Sequence, residues 1–321
     1  MFSLSAGFAG PLLGICHEEN GGFHLRGASS TGKTTSLYVA ASLFGGKDYI
    51  QRWRATTNGL EATAKIYNDL LLPLDEIGEI NPRDVGELAY MLGNGTGKAR
   101  AEKTGGAREK AKFRCLFLST GEISLSQHML EDGKRAKAGQ ETRIADIPAD
   151  VNPLGIFEYI HGYSDGASFA DALMDAARKF HGSAGREYIL RLSADFEMVR
   201  NAVDATIDSF VEKYVSKDSS GQVKRVGRRF GLVAAGGELA IHFGLVPWEK
   251  GSAIASAGKC FNDWLEYRGD DQGLEEKKIL SKVQLFFELH GDSRFSPWSC
   301  ESGITTYNRA GFKKTVIQVR M

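Results

Sequence analysis

The sequence predicts an α/β fold: a parallel sheet flanked by helices, then a helical region, then a small C-terminal helical module with short β pieces. Three observations carry this. The first half alternates short apolar runs with helical stretches, the pattern of βα layers. Two of those runs end in polar clusters, as strands do at the ligand-binding edge of open α/β sheets. After about Phe157 the strand signals fade and helical spacing takes over. A chain of 321 residues suits two or three units, placed at 1–157, 158–250 and 251–321.

The elements follow in order. Phe2 to Cys16 is apolar, lacks a basic leader and is broken by Pro11, so it reads as buried helix rather than signal or anchor. Gly22 to Arg26 is a strand running into a glycine-rich turn, and Thr35 to Phe44 a helix. Tyr49 to Ala55 is a second strand, Leu60 to Tyr67 a helix and Asp69 to Leu74 a core strand. Pro73 cannot donate to a ladder, so a bulge or an unpaired position is expected there. Arg83 to Leu92 is helical, Cys115 to Leu118 the next core strand, and Ile144 to Ile147 a last strand closed by Pro148. Phe169 to Phe180, Ala194 to Val215 and Gly231 to Phe243 are helical. From Ala253 two further helices end near Arg268 and His290, before β-prone pieces at Gly303 to Tyr307 and Thr315 to Val319. Two helices and a small β element resemble a winged-helix module.

Composition excludes several classes. A hydrophobic content of 42% supports a core and rules out a disordered chain. Forty basic residues cancel forty acidic ones, so any attraction for nucleic acid must be local. Cys16, Cys115, Cys260 and Cys300 form no C-x-x-C pair, so neither a zinc site nor a disulfide framework is indicated. A cytoplasmic protein with no membrane partner is the expectation.

The segment Gly27-Ala28-Ser29-Ser30-Thr31-Gly32-Lys33-Thr34 satisfies G-x-x-x-x-G-K-[ST], and Thr35 follows. Glycines let successive backbone N–H groups turn toward phosphate oxygens, and the following helix adds its dipole. Lys33 would reach the β- and γ-phosphates of ATP, and the Thr34 hydroxyl would ligate Mg²⁺. The motif sits between a predicted strand and a predicted helix, the context it requires. Further on, Leu70 to Leu74 delivers Asp75 and Glu76 to a strand end. Asp75 is expected to hold Mg²⁺ through water and Glu76 to polarise an attacking water. Without the phosphate loop, the same pair would read equally as two solvated acids in a turn. The strand ending Ser119-Thr120-Gly121-Glu122 offers a hydroxyl to orient that water, Thr120 first and Ser119 next; a plain strand end is the alternative. Arg143 precedes the last strand, where ring-forming ATPases carry an arginine that reaches the neighbouring subunit's γ-phosphate. An ordinary surface ion pair is the alternative there. Arg229, beside Arg225 and Arg228, is a candidate to reach the nucleotide from the helical region.

One stretch concentrates charge. Lys98, Arg100, Lys103, Arg108, Lys110, Lys112 and Arg114 face only Glu102 and Glu109, a net +5, around the turn Thr104-Gly105-Gly106. That pattern suits a hairpin whose cations contact the phosphates of a nucleic-acid strand. A solvated polar hairpin is the alternative. Lys98, Arg100, Lys103, Arg108 and Lys110 are the candidate DNA contacts.

These residues carry a resemblance. Gly22-Phe23-His24-Leu25, Ser29 to Thr35, Asn94-Gly95-Thr96-Gly97-Lys98, Leu118-Ser119-Thr120-Gly121-Glu122 and Gly139-Gln140-Glu141-Thr142-Arg143 resemble the domain-of-unknown-function family 927 of phages and integrative elements. Arg229 to Ala235 and His290 to Phe295 extend the resemblance over nearly the whole chain. It implies an AAA+ (ASCE) P-loop ATPase similar to the hexameric replicative helicases of viruses, with a helical lid. It further implies that the Ser119/Thr120 strand lies between the phosphate-loop strand and the Asp75 strand. Members are often fused to or encoded with primases and carry more sequence before the core, so primase activity is not expected of this chain itself. The function so implied is an ATP-dependent helicase motor, a homo-hexamer on single-stranded DNA, serving replication of a phage or mobile element with a possible primase partner. Its rivals are a non-unwinding AAA+ regulator or loader and a P-loop kinase. The Asp75-Glu76 pair and Arg143 argue against the kinase.

Overall fold

The computed structural model describes residues 1–98, 100–101, 107–108, 110–134, 136 and 138–268, and beyond these 283, 286–287, 290, 293–298 and 308–313. The strands among them are β1 (Gly21–Arg26), β2 (Gln51–Arg52), β3 (Leu70–Asp75), β4 (Arg100–Ala101), β5 (Ala107–Arg108), β6 (Cys115–Gly121), β7 (Ile144–Pro148), β8 (Phe295–Pro297) and β9 (Gly311–Lys313). The apolar runs become a five-stranded sheet in the order β2-β3-β6-β1-β7, every pair parallel. The strand carrying Ser119 and Thr120 thus lies between the phosphate-loop strand and the Asp75 strand, as the resemblance implies. Parallel strands need crossover connections, which here are helical.

A central parallel strand buries both faces, so alternate residues enter two different cores. Phe23, Leu25, Leu71, Leu116, Leu118, Ala145 and Ile147 belong to one cluster, and Leu72, Leu74, Cys115, Phe117 and Ile144 to the other. The first is covered by α1 (Phe2–Ala9), α2 (Leu12–Cys16) and α3 (Lys33–Ala41). The second lies under α4 (Thr57–Ile66) and α5 (Pro82–Asn94), followed by α6 (Leu125–Leu130) and α7 (Ala138–Glu141). The Phe2–Cys16 stretch is buried helix, interrupted at Gly10 and Pro11.

Further helices follow: α8 (Gly166–Lys179), α9 (Ser183–Ala194), α10 (Phe196–Tyr214), α11 (Gly221–His242) and α12 (Ser252–Arg268). The observed elements depart from expectation in several places, among them the short helices α6 and α7, to which the sequence assigns nothing. The second strand shrinks to two residues, and Trp53 just after it is buried. Helix α9 is not predicted by the sequence, since Ser183, Gly185 and Arg186 blur its apolar spacing. Helix α11 starts ten residues early, capped by the Ser220 hydroxyl. At Pro73 there is no bulge: it stays in register with Leu118, and β2 pairs only with Leu74 and Asp75.

Met1–Asp271 form one compact unit and Gln272–Met321 another. In the second unit β8 and β9 pair in parallel. The β pieces expected at Gly303 to Tyr307 and Thr315 to Val319 lie outside the described residues.

Candidate nucleotide-binding site

The loop from Gly27 to Gly32 leaves β1 at its carboxyl end and enters α3. Gly32 closes it at φ 89°, a left-handed conformation that glycine adopts without steric cost. A Cβ there would lie 2.9 Å from the Phe157 ring. Ser30 is also left-handed, at φ 63°. Among the described residues, the N–H groups of Ser29 to Thr34 donate to no protein acceptor, which leaves a concave row of amides at a helix N-terminus. Lys33 folds back over the loop, its Nζ donating to the carbonyls of Gly27 at 2.8 Å and Ala28 at 2.6 Å and to the Thr31 hydroxyl at 3.2 Å. Burial lowers the Lys33 ammonium below its ordinary pKa, opposed by the carboxylates of Glu122, Glu76, Asp150 and Asp75. The loop's own carbonyls and the Thr31 hydroxyl hold the Lys33 ammonium across the turn.

Beside the loop, Asp75 ends β3. Its Oδ1 accepts the Thr120 hydroxyl at 2.6 Å and lies 3.5 Å from the Thr34 hydroxyl. The Glu76 N–H donates to Thr120 Oγ1 at 3.3 Å. Glu76 itself sits at φ 55°, a conformation that costs a non-glycine residue on the order of 1–3 kcal/mol. The kink turns it out of the strand, where its Oε1 accepts the Gly78 N–H at 3.2 Å. Lys33, Thr34, Asp75, Glu76 and Thr120 are therefore brought together. The hydroxyl and carboxylate oxygens of Thr34 and Asp75 are hard donors of the kind Mg²⁺ takes, so the residues present fit that ion.

Ser119 is not part of this constellation. It occupies the opposite face of β6, where its hydroxyl meets Trp53 and His24 instead. Successive strand residues point to opposite faces, so only one of the two hydroxyls could enter the site.

The cleft over the loop measures about 590 Å³ and is walled by residues that carry no sequence motif. Asn152 to Gly155 and Phe157 form one side, and Ala167, Ala170, Asp171 and Met174 of α8 another. Ile156 N–H donates to the Thr31 carbonyl at 3.0 Å, which docks this segment on the loop. Gly155, at φ 68°, permits that approach: a Cβ would meet the Thr31 oxygen at 2.3 Å. Glu122 also lines the cleft. The spacing of Ala167, Ala170, Asp171 and Met174 at i, i+3, i+4 and i+7 is the one signal the sequence holds for this wall.

The remaining candidates lie at the other end of the strands. Arg143 precedes β7, whose Ile144 is in register with Gly22, five residues before the loop begins. With a rise of about 3.3 Å per residue, the two ends of β1 are roughly 16 Å apart. Arg143 there donates from Nε to Asn94 Oδ1 at 2.9 Å and stacks on the Tyr90 ring at 4.1 Å. It cannot reach the phosphate loop of its own chain.

Arg229 requires a correction. Rather than approaching the loop, it is buried against the start of β1, donating to the carbonyls of Thr142 at 2.9 Å and Asn20 at 3.3 Å. Because α11 begins at Gly221, Arg229 falls in its buried middle and bolts that helix to the sheet. Desolvation brings its guanidinium down to about 10.

The basic stretch is a hairpin that leads into the start of β6. Arg100 pairs with Arg108 and Ala101 with Ala107, antiparallel, above a Thr96–Lys112 bridge. Lys98 Nζ is 2.8 Å from Glu87, and Arg114 grips Asp69 through Nε at 2.7 Å and a second nitrogen at 2.9 Å. Lys110 and Lys112 are exposed. Lys103 lies outside the described residues, as do the turn residues and the side chains of Arg100 and Arg108.

One solved structure agrees with this picture at the level of fold. The family model of the domain of unknown function (DUF927) matches residues 1–112, a shorter span than the near-complete resemblance expected. No curated protein matches the chain. A solved structure described as "SCCmec type IV Cch - active helicase" superposes with a TM-score of 0.68 at 18% identity, covering 98% of this chain. The chain spans 55% of the length of that protein. NtrX from Brucella abortus in complex with ATP gives a TM-score of only 0.28 at 10% identity, over 88% of this chain and 60% of that one. Among the described residues, no helix is long and apolar enough to cross a membrane.

Proposed function

We propose that the chain is an AAA+ (ASCE) ATPase that drives a DNA helicase. In this reading it forms a homo-hexameric ring on single-stranded DNA and serves replication of a phage or mobile element in the cytoplasm. The observation that carries the reading is the carboxylate of Asp75 between the hydroxyls of Thr34 and Thr120, at the mouth of a G-x-x-x-x-G-K-[ST] loop. The structural similarity to a protein described as an active helicase supports it.

The division of labour follows from positions. The loop from Gly27 to Thr35, through the free amides of Ser29 to Thr34, and the Lys33 ammonium bind and orient the triphosphate. Thr34 and Asp75 would hold Mg²⁺, which supplies charge neutralisation at the β- and γ-phosphate oxygens. Glu76 orients water and takes up its proton, while Thr120 fixes the Asp75 carboxylate and the Glu76 backbone. Arg143, at the opposite end of the strands, completes the site of the next subunit. Arg100, Lys103, Arg108 and Lys110 contact DNA phosphates on the hairpin, with Lys98 contributing once freed from Glu87.

That Lys98–Glu87 pair also favours a second reading, a non-unwinding AAA+ regulator or loader of a replication partner such as a primase, because it removes one cation from the DNA-contacting set. ATP hydrolysis measured with and without single-stranded DNA separates the two. Stimulation by DNA supports the motor. Hydrolysis indifferent to DNA but altered by a protein partner supports the regulator.

A further inference from the structure

A buried polar chain runs beneath the site. Trp53, His24 and Ser119 are fully buried, yet each polar atom finds a partner. An indole N–H only donates, so Trp53 Nε1 gives its proton to Ser119 Oγ at 2.8 Å. A carbonyl only accepts, so His24 Nε2, 3.0 Å from the Ile123 oxygen, carries a hydrogen. The ring is neutral, its pKa brought down to about 4 chiefly by desolvation. Its Nδ1 is then an acceptor, and the Ser119 hydroxyl donates to it at 2.9 Å. Every bond in the run Trp53 → Ser119 → His24 → Ile123 has a defined direction.

This run joins the strands that carry the site. His24 belongs to β1, three residues before Gly27, and Ser119 precedes Thr120 on β6. Trp53 follows β2, and its backbone N–H donates to the Asp75 carbonyl at 3.1 Å. Asp75 is therefore gripped twice, through its carbonyl by Trp53 and through its carboxylate by Thr120. The two grips are connected through Ser119, whose hydroxyl is on the far side of the strand from Thr120.

We infer that Trp53, Ser119 and His24 are positioning residues that hold Asp75 and Thr120 in register with the phosphate loop. The inference rests on the nucleotide-site reading above. None of the three lines the cleft, so their effect falls on turnover rather than on nucleotide affinity.

The test is steady-state ATP hydrolysis, beside wild type, by Ser119→Ala, Ser119→Thr and Trp53→Phe. Ser119→Ala should lower kcat about tenfold, the effect of a 1.4 kcal/mol rise in barrier, with KM within about twofold. Ser119→Thr, which keeps the hydroxyl, should restore most of the rate. Trp53→Phe keeps an aromatic ring but removes the donor, should lower kcat in the same direction, and carries the test if Ser119→Ala does not fold. Wild-type kcat in both Ser119→Ala and Trp53→Phe overturns the inference, as does a loss confined to KM. Either result leaves the nucleotide site standing. A wild-type chain that neither binds nor hydrolyses ATP overturns the site reading, and this inference with it.

Discussion

Thr120 donates its hydroxyl to Asp75 Oδ1 at 2.6 Å, a bond that ties the middle strand of the sheet to the acid at the end of its neighbour. It orients the carboxylate toward Thr34 and leaves Glu76 to turn away on a left-handed kink. The strand order makes this meeting possible, since only β6 lies beside both the phosphate-loop strand and the Asp75 strand.

Glu76 and Lys33 should separate binding from turnover. Glu76→Gln is expected to retain ATP binding while losing about 10²–10⁴ in kcat, the range of a general base. Lys33→Ala should lose both. Fluorescent-nucleotide titration alongside phosphate release checks this, and wild-type turnover in Glu76→Gln removes Glu76 from the mechanism.

Arg143 should act in trans. Arg143→Ala is expected to bind ATP but lose about 10³–10⁵ in rate, the contribution of an arginine finger. Mixing it with Lys33→Ala should recover part of the activity, because one hybrid interface pairs an intact loop with an intact arginine. Full activity of Arg143→Ala at dilutions where the protein is monomeric contradicts the assignment.

The hairpin should bind DNA without regard to sequence. Alanine at Arg100, Lys103 and Lys110 is expected to weaken single-strand binding and to flatten its salt dependence by roughly 0.7 in log–log slope for each phosphate no longer neutralised. DNA-free hydrolysis should persist. Lys98→Ala alone should do less, since Lys98 is held by Glu87. Unchanged affinity and slope with a collapse of basal hydrolysis would move the cluster to the nucleotide site or a subunit interface.

His24 should shape the acid limb of stability. Its folded pKa, about 4, lies below the ordinary 6.5, so the unfolded chain binds the extra proton between these values. Its contribution is present above pH 6.5 and is lost as pH falls toward 4, about 3 kcal/mol across the window. Asp146 runs the other way: burial raises its carboxyl to about 7, so its contribution is present below about 4 and is lost as pH rises through 7. Subtracting the curve of His24→Gln from that of wild type, by denaturant unfolding from pH 4.5 to 7, isolates the histidine. A flat difference across that range contradicts its neutral, buried state.

Much of the site was legible because its chemistry is local in sequence. Gly27 to Thr35 and Asp75-Glu76 each carry their geometry in adjacent residues, and the sheet order followed from the resemblance. What escaped was non-local. The strand end alone ranks Thr120 ahead of Ser119, but what Ser119 does instead, bonding Trp53 and His24 on the other buried face of β6, left no trace in the sequence. Arg229 was a candidate for the nucleotide until the early start of α11 placed it inside the core. The wall formed by Asn152 to Phe157 and α8 carries no motif, only Gly155, which lets the loop approach the phosphate turn, and a helical spacing on α8.

The decisive experiment on the motor is strand displacement on duplexes bearing 5′ or 3′ single-stranded tails, comparing wild type with Glu76→Gln, with and without ATP. Wild type is expected to separate one of the two tailed substrates only when ATP is present, while Glu76→Gln binds the same DNA without separating it. Hydrolysis of ATP by the wild type with no separation of either substrate would rule the motor out.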